Sequence, residues 1–88
     1  MLQGAQSDLL SIYSSRGERV YLLANQALHQ LSVFPESGPV NWMQIRRLVV
    51  PRTNLGIFYT LAGRRVMVGA LLDLRQDERW IKKRLREL

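Results

Sequence analysis

Cysteine is absent from this chain. Its absence excludes disulfide staples and thiolate metal sites and fits a reducing cytosol. Histidine is nearly absent: His29 stands alone between the apolar residues Leu28 and Leu31. A lone imidazole builds no histidine metal cluster, and it is the only such base a serine nucleophile would find. The seven carboxylates are scattered, with Asp73, Asp77 and Glu78 the one local group. These are expected to pair with nearby arginines or cap a helix, so neither a metal site nor a cofactor is expected. No stretch reads G-x-G-x-x-G or G-x-x-x-x-G-K, so the usual phosphate-cradling loops are missing. The longest apolar run, Val66 to Leu72, is far too short to cross a bilayer. The first residues lack the basic start and apolar core of a secretion signal. A cytoplasmic protein without a membrane partner is the expectation.

What remains is apolar and basic. Apolar residues make up 47% of the chain, enough for a globular core and too many for disorder. Its 88 residues are expected to form a single domain over 1–88. The formal charge of +6 is unevenly spread. Residues 1–45 carry a net −1, whereas residues 46–88 carry eleven basic and four acidic side chains, a net +7. Such a split points to a basic face that meets a polyanion or an acidic partner.

The centre of the chain is Arg46 to Arg75, which reads IRRLVV, PRTN, LGIFYTL, AG and RRVMVGALLDLR from Ile45 onward. Three β-branched, apolar runs are parted by short turn signals. Both alternating registers are apolar, as in strands covered on two faces. Val66, Val68, Ala70 and Leu72 form one register, and Met67, Gly69 and Leu71 form the other. Ala62-Gly63 suits a tight hairpin, since glycine accepts the positive φ that such a turn requires. Before this meander, Ala5 to Ser15 reads as a helix with Leu9, Ile12 and Tyr13 on one face. Gly17 is the pivot into a second helix, Glu18 to Leu31, and the two form a helical hairpin. Phe34-Pro35-Glu36-Ser37-Gly38-Pro39 ends it, with Phe34 expected to pack under the loop. Val40 to Gln44 is read as a lead-in to the first strand. Asp77 caps a terminal helix over Glu78 to Leu88, whose stripe is Trp80, Ile81 and Leu85. The fold class is therefore α+β: a helical hairpin on a three-stranded antiparallel meander, followed by a C-terminal helix.

Arginine is the one chemistry present in quantity. It stays charged and grips phosphates or carboxylates through paired hydrogen bonds. Arg46, Arg47, Arg52 and Arg75 lie at strand ends and are the candidates for such contacts. Trp80, Lys82, Lys83 and Arg84 join them from the last helix. Tyr59 is the one tyrosine in the meander, either a core ring with its hydroxyl at the rim or a proton-transfer group. Trp80 reads as a packing anchor, or in the sharper alternative as a stacking or insertion residue.

These pieces, in this order, resemble the RelE/ParE superfamily of toxins from bacterial toxin–antitoxin pairs. AQSDLLSIYSS resembles the family's A-x-x-D-L-x-x-I helix through Ala5, Asp8, Leu9 and Ile12. LSVFPESG resembles the L-x-x-F-P-x-x-G close of the second helix. RRLVV, GIFYTLAGRRVMV and LDLRQDERWI resemble the family's first meander strand, its hairpin and its closing arginine segment. The resemblance covers nearly the whole chain and does not select a branch. It departs in three places: the opening family strand is reduced at most to Met1 to Gly4, LDLRQD has no histidine before its arginine, and no tyrosine or histidine follows Tyr59. A truncated chain, a divergent one, or one completed by another chain that pairs with an exposed sheet edge is the expectation from this short start.

The resemblance implies a ParE-like toxin that binds and inhibits DNA gyrase, with a cognate acidic antitoxin of the ParD or RelB kind as partner, in a homo- or hetero-oligomer. Arg46, Arg47, Arg52, Arg75, Trp80, Lys82, Lys83 and Arg84 would then make contacts and catalyse nothing. A RelE-like, ribosome-dependent mRNA endonuclease is the alternative. It would use Arg46, Arg47, Arg52 and Arg75 as a phosphate clamp and Tyr59 for proton transfer. An inactive or orphan member of the fold is the third reading.

Overall fold

The computed structural model describes residues 1–88. Helix α1 spans Gln3–Arg16 and α2 spans Glu18–Val33. Strands β1 (Val40–Trp42), β2 (Ile45–Val49), β3 (Leu55–Ala62) and β4 (Arg65–Asp73) follow, and helix α3 (Glu78–Arg86) comes last. The strands form one antiparallel sheet in chain order, β1-β2-β3-β4. The α+β class and the order of the expected elements hold.

The sheet has four strands where three are expected. The added strand is Val40–Trp42, which pairs with β2 through Val40↔Arg46 and Trp42↔Ile45. It carries little sequence signal because it is three residues long and mostly exposed. Its turn is hidden too: Met43 takes φ 56°, a backbone state that glycine or asparagine usually advertises.

Both faces of the central hairpin are covered, as the apolar registers predict. On one face, Leu55, Ile57, Tyr59, Val68 and Leu71 join Ala5, Ile12, Ala24, Ala27 and Leu31 of the helical hairpin. On the other, Phe58, Ala70 and Leu72 pack with Ile45 and with Leu85 of α3. The β4 register is not the simple alternation expected. Phe58 pairs with Ala70 but Tyr59 pairs with Val68, so Gly69 is an extra residue in the ladder. The bulge reverses the phase, which puts Val68 and Leu71 on the same face. The Leu88 side chain lies over Gly69 and would have to shift to admit a Cβ there.

The helical hairpin turns at Gly17, whose φ of 89° lies where side-chain-bearing residues are disfavoured. Its N–H donates to Tyr13 O at 3.1 Å and closes α1. Two expected anchors are on the outside. Tyr13 is 52% exposed and stacks edge-on against Tyr21, so α1 buries Ala5 and Ile12 in its place. Phe34 is 64% exposed because the chain turns away at Pro35 and presents its ring to solvent.

No strand precedes α1. Leu2 gives the free edge of β4 one backbone bond, N–H to Val68 O at 2.8 Å. Asp8 supplies a second cover, its Oδ2 accepting the Leu71 N–H at 3.0 Å. One backbone group and one side chain thus meet part of an edge that no further strand covers.

Phe58 is the floor of the second face and is 1% exposed. Phe58→Ala is expected to lower stability by about 3–5 kcal/mol, the range for large-to-small changes in a packed core. A fall in the urea midpoint with an unchanged slope checks it.

Candidate functional site

The four candidate arginines do not converge. Arg46 and Arg47 are neighbours in β2, so they point to opposite faces of the sheet. Arg46 is half-buried, and its Nη1 donates to Gly38 O at 2.9 Å. Arg47 is half-buried on the α3 face, beside Trp42, Phe58, Ile81 and Lys82. Arg52 is exposed in the β2–β3 turn at φ 64°, beside Glu18 and Arg19 of α2. Arg75 lies just past β4, at the sheet end where Leu55 pairs with Asp73. A single phosphate clamp of Arg46, Arg47, Arg52 and Arg75 is therefore not assembled.

Tyr59 is fully buried. Its hydroxyl accepts the Gly38 N–H at 2.9 Å and donates to Pro35 O at 2.8 Å. With Arg46 on Gly38 O, this knot pins the Pro35–Pro39 loop against the sheet. The core reading of the ring holds, but the hydroxyl is inside the knot and not at an open rim. Both of its hydrogen-bonding roles are occupied by backbone groups, so it has no free valence to offer a substrate. Gly38 must be glycine, because a Cβ there would lie 2.7 Å from Arg47 O.

The last helix divides its charges by direction. Asp77 caps it as expected, its Oδ1 accepting the Arg79 N–H at 2.7 Å, which lowers its carboxyl pKa. Arg84 reaches back to α1, donating from Nη2 to both Asp8 oxygens at 2.9 and 3.1 Å. Since Asp8 also takes the Leu71 N–H, one carboxylate ties α1, β4 and α3 together. Arg84 therefore has a structural duty, with its guanidinium also 5.7 Å from the Trp80 ring. Trp80 is 41% exposed at the same seam, an anchor only in part. Lys83 is exposed.

Lys82 and Arg86 point the other way, toward β1. Lys82 Nζ is 5.7 Å and Arg86 Cζ is 5.5 Å from the Trp42 ring centroid. Lys82 also pairs with Glu78 at 3.3 Å. Arg47, Lys82, Glu78 and Trp42 line a cleft of about 250 Å³ between the sheet and α3, with Phe58 and Leu85 in its floor, and Arg86 lies beside it over the Trp42 ring. Arg47 and Arg86 meet no carboxylate within ion-pair distance. This cleft is the one place where a half-buried arginine, a lysine and an aromatic ring meet, and it is the candidate site. Sequence reading finds Arg47 and Lys82 singly. It misses Trp42 and Arg86, because their meeting depends on the unexpected strand β1.

At the end of β4, Asp73 accepts hydrogen bonds from both Arg75 and Arg16. The Arg75 guanidinium is the main cause that holds this carboxyl far below its ordinary value, aided by the Arg75 backbone N–H and by Arg16 against the cost of burial. Arg75 is correspondingly raised by Asp73. No three histidine, cysteine or carboxylate side chains gather where a metal would need them. No helix is long and apolar enough to cross a membrane. No family model, curated protein or solved structure matches the chain.

The depressed Asp73 sets an acid dependence. Its ion pairs contribute stability that is present above the unfolded carboxylate value, about 3.9, and is lost as pH falls toward the folded value. Acid titration of unfolding is expected to show stability falling below about pH 4, with Asp73→Asn giving a lower and flatter curve over that range.

Proposed function

We propose that this chain is a ParE-like toxin of a type II toxin–antitoxin system, which acts by binding DNA gyrase and is neutralised by an acidic antitoxin. The order of helical hairpin, antiparallel meander and basic final helix agrees with the RelE/ParE resemblance. The observation that carries the choice of binding over catalysis is the state of Tyr59. The one proton-transfer candidate of the meander is buried, with its hydroxyl bonded to Gly38 and Pro35. The dispersal of Arg46, Arg47, Arg52 and Arg75 over both faces and one end of the sheet supports the same choice. A nuclease needs its cation and its proton-transfer group around one phosphodiester. A binding protein needs only a charged and shaped face, and the cleft between α3 and the sheet supplies one.

Induction of the chain alone in a bacterial host tests this reading. Growth arrest with intact transcripts and altered plasmid supercoiling is expected. Arrest with cleaved, ribosome-bound transcripts moves the assignment to the RelE-like endonuclease, and undisturbed growth moves it to an inactive member of the fold. Tyr59→Phe sharpens the test. It leaves Gly38 N–H and Pro35 O without their partner, at a cost of about 1–3 kcal/mol in stability. Toxicity per folded molecule should be unchanged, whereas a nuclease dependent on that hydroxyl loses its activity.

A further inference from the structure

The last turn of α3 divides the second face of the sheet into two depressions, and Leu85 lines both. One is the basic cleft at Trp42. The other is a groove of about 480 Å³ with walls of Met43, Ile45, Met67 and Leu88, and with no charged side chain among its lining residues. Met43 is the most exposed of the large apolar residues, at 74%, and its backbone is left-handed at φ 56°. A strained, exposed methionine over an apolar groove is a feature of adaptable binding surfaces. Leu88 is 48% exposed while its side chain lies against Gly69 on the groove floor.

We propose that cleft and groove form one bipartite docking surface for an acidic segment of a protein partner. Carboxylates of that segment meet Arg47, Lys82 and Arg86, and its apolar side chains enter the groove at Met43, Met67 and Leu88. This rests on the reading of the chain as the target of an acidic antitoxin and adds where that partner binds and with what sequence chemistry.

Charge complementarity selects the occupant. Two of the three cations at Trp42 have no carboxylate of their own, and residues 46–88, which supply all three, carry a net +7. A second copy of the chain would set the same positive charges against each other. A nucleic acid would satisfy the cations but has no side chains for an uncharged groove beside them. The Trp42 ring, with Lys82 and Arg86 over it, is also poorly placed to stack on a base. An acidic peptide with apolar residues next to its carboxylates satisfies both halves at once.

The test is an NMR titration of the full chain with a synthetic peptide that is glutamate-rich in its first half and leucine-rich in its second. The Trp42 indole N–H and the Met43 and Met67 methyls should shift together along one binding curve. Replacing the glutamates by glutamine, combining Arg47→Gln with Arg86→Gln, or introducing Met43→Asp should each weaken binding by about tenfold or more. Arg19→Gln, exposed on α2 on the other side of the sheet, should leave it unchanged. Absence of peptide binding, shifts confined to another face, or tighter binding of an oligouridylate at the same resonances would overturn the proposal. The growth assay separates the two levels: a chain that arrests growth but ignores the peptide loses this surface and keeps its function, whereas undisturbed growth removes the toxin reading whatever the titration gives.

Discussion

The constraint on which this structure depends is that the β3–β4 hairpin is apolar on both faces and must be covered on both. Ile57 and Tyr59 face the helical hairpin, Phe58 and Ala70 face α3, and all four are at most 1% exposed. A large buried side chain contributes about 1.5–3 kcal/mol relative to exposure, so leaving either face bare would cost more than a small domain can spare. The helical hairpin covers its face with two long helices. The opposite face has only the nine residues of α3, a length that is marginal in water without docking.

That asymmetry explains the use of ion pairs. Arg84 and Asp8 join α3 to α1 across the β4 edge, with side chains only 28% and 16% exposed. A pair so placed is costly to break from one side, because the remaining charge is left in a partly desolvated site. The exposed pair Arg79–Asp77 near the start of α3, screened by solvent, adds little. With Arg84 fixed toward α1, the helical period carries Lys82 and Arg86 toward β1 and Trp42. The charge pattern of the candidate site is thus a consequence of how the short helix is held.

Much of this was legible in the residues. The two apolar registers of LGIFYTL and RVMVGALLD announced a sheet buried on both faces, and Gly17 and Asp77 announced their turn and cap. The bulge at Gly69 was not legible, since both registers of β4 are apolar and read equally well with or without a phase change. Strand β1 was hidden by its three-residue length and by a methionine in a left-handed turn. For the candidate site, sequence spacing groups residues that the fold separates. Arg46 and Arg47 are adjacent in sequence and on opposite faces in space, whereas Trp42 and Arg86 are far apart in sequence and 5.5 Å apart beside the cleft. The role of Asp8 as the link of three elements follows from tertiary contacts alone.

Helix α3 is a fixed part of the second face, so cleft and groove are standing features of the free chain. Native-state hydrogen exchange of the isolated protein measures this at single amides. Strong protection is expected at Phe58 and Ala70 and measurable protection at the α3 amides of Ile81 and Leu85, with the α3 protection falling sharply in Asp8→Asn. Exchange at Ile81 and Leu85 as fast as in an unstructured peptide would contradict it, since the face that carries Trp42, Arg47 and Met67 would then have no helix to shape it.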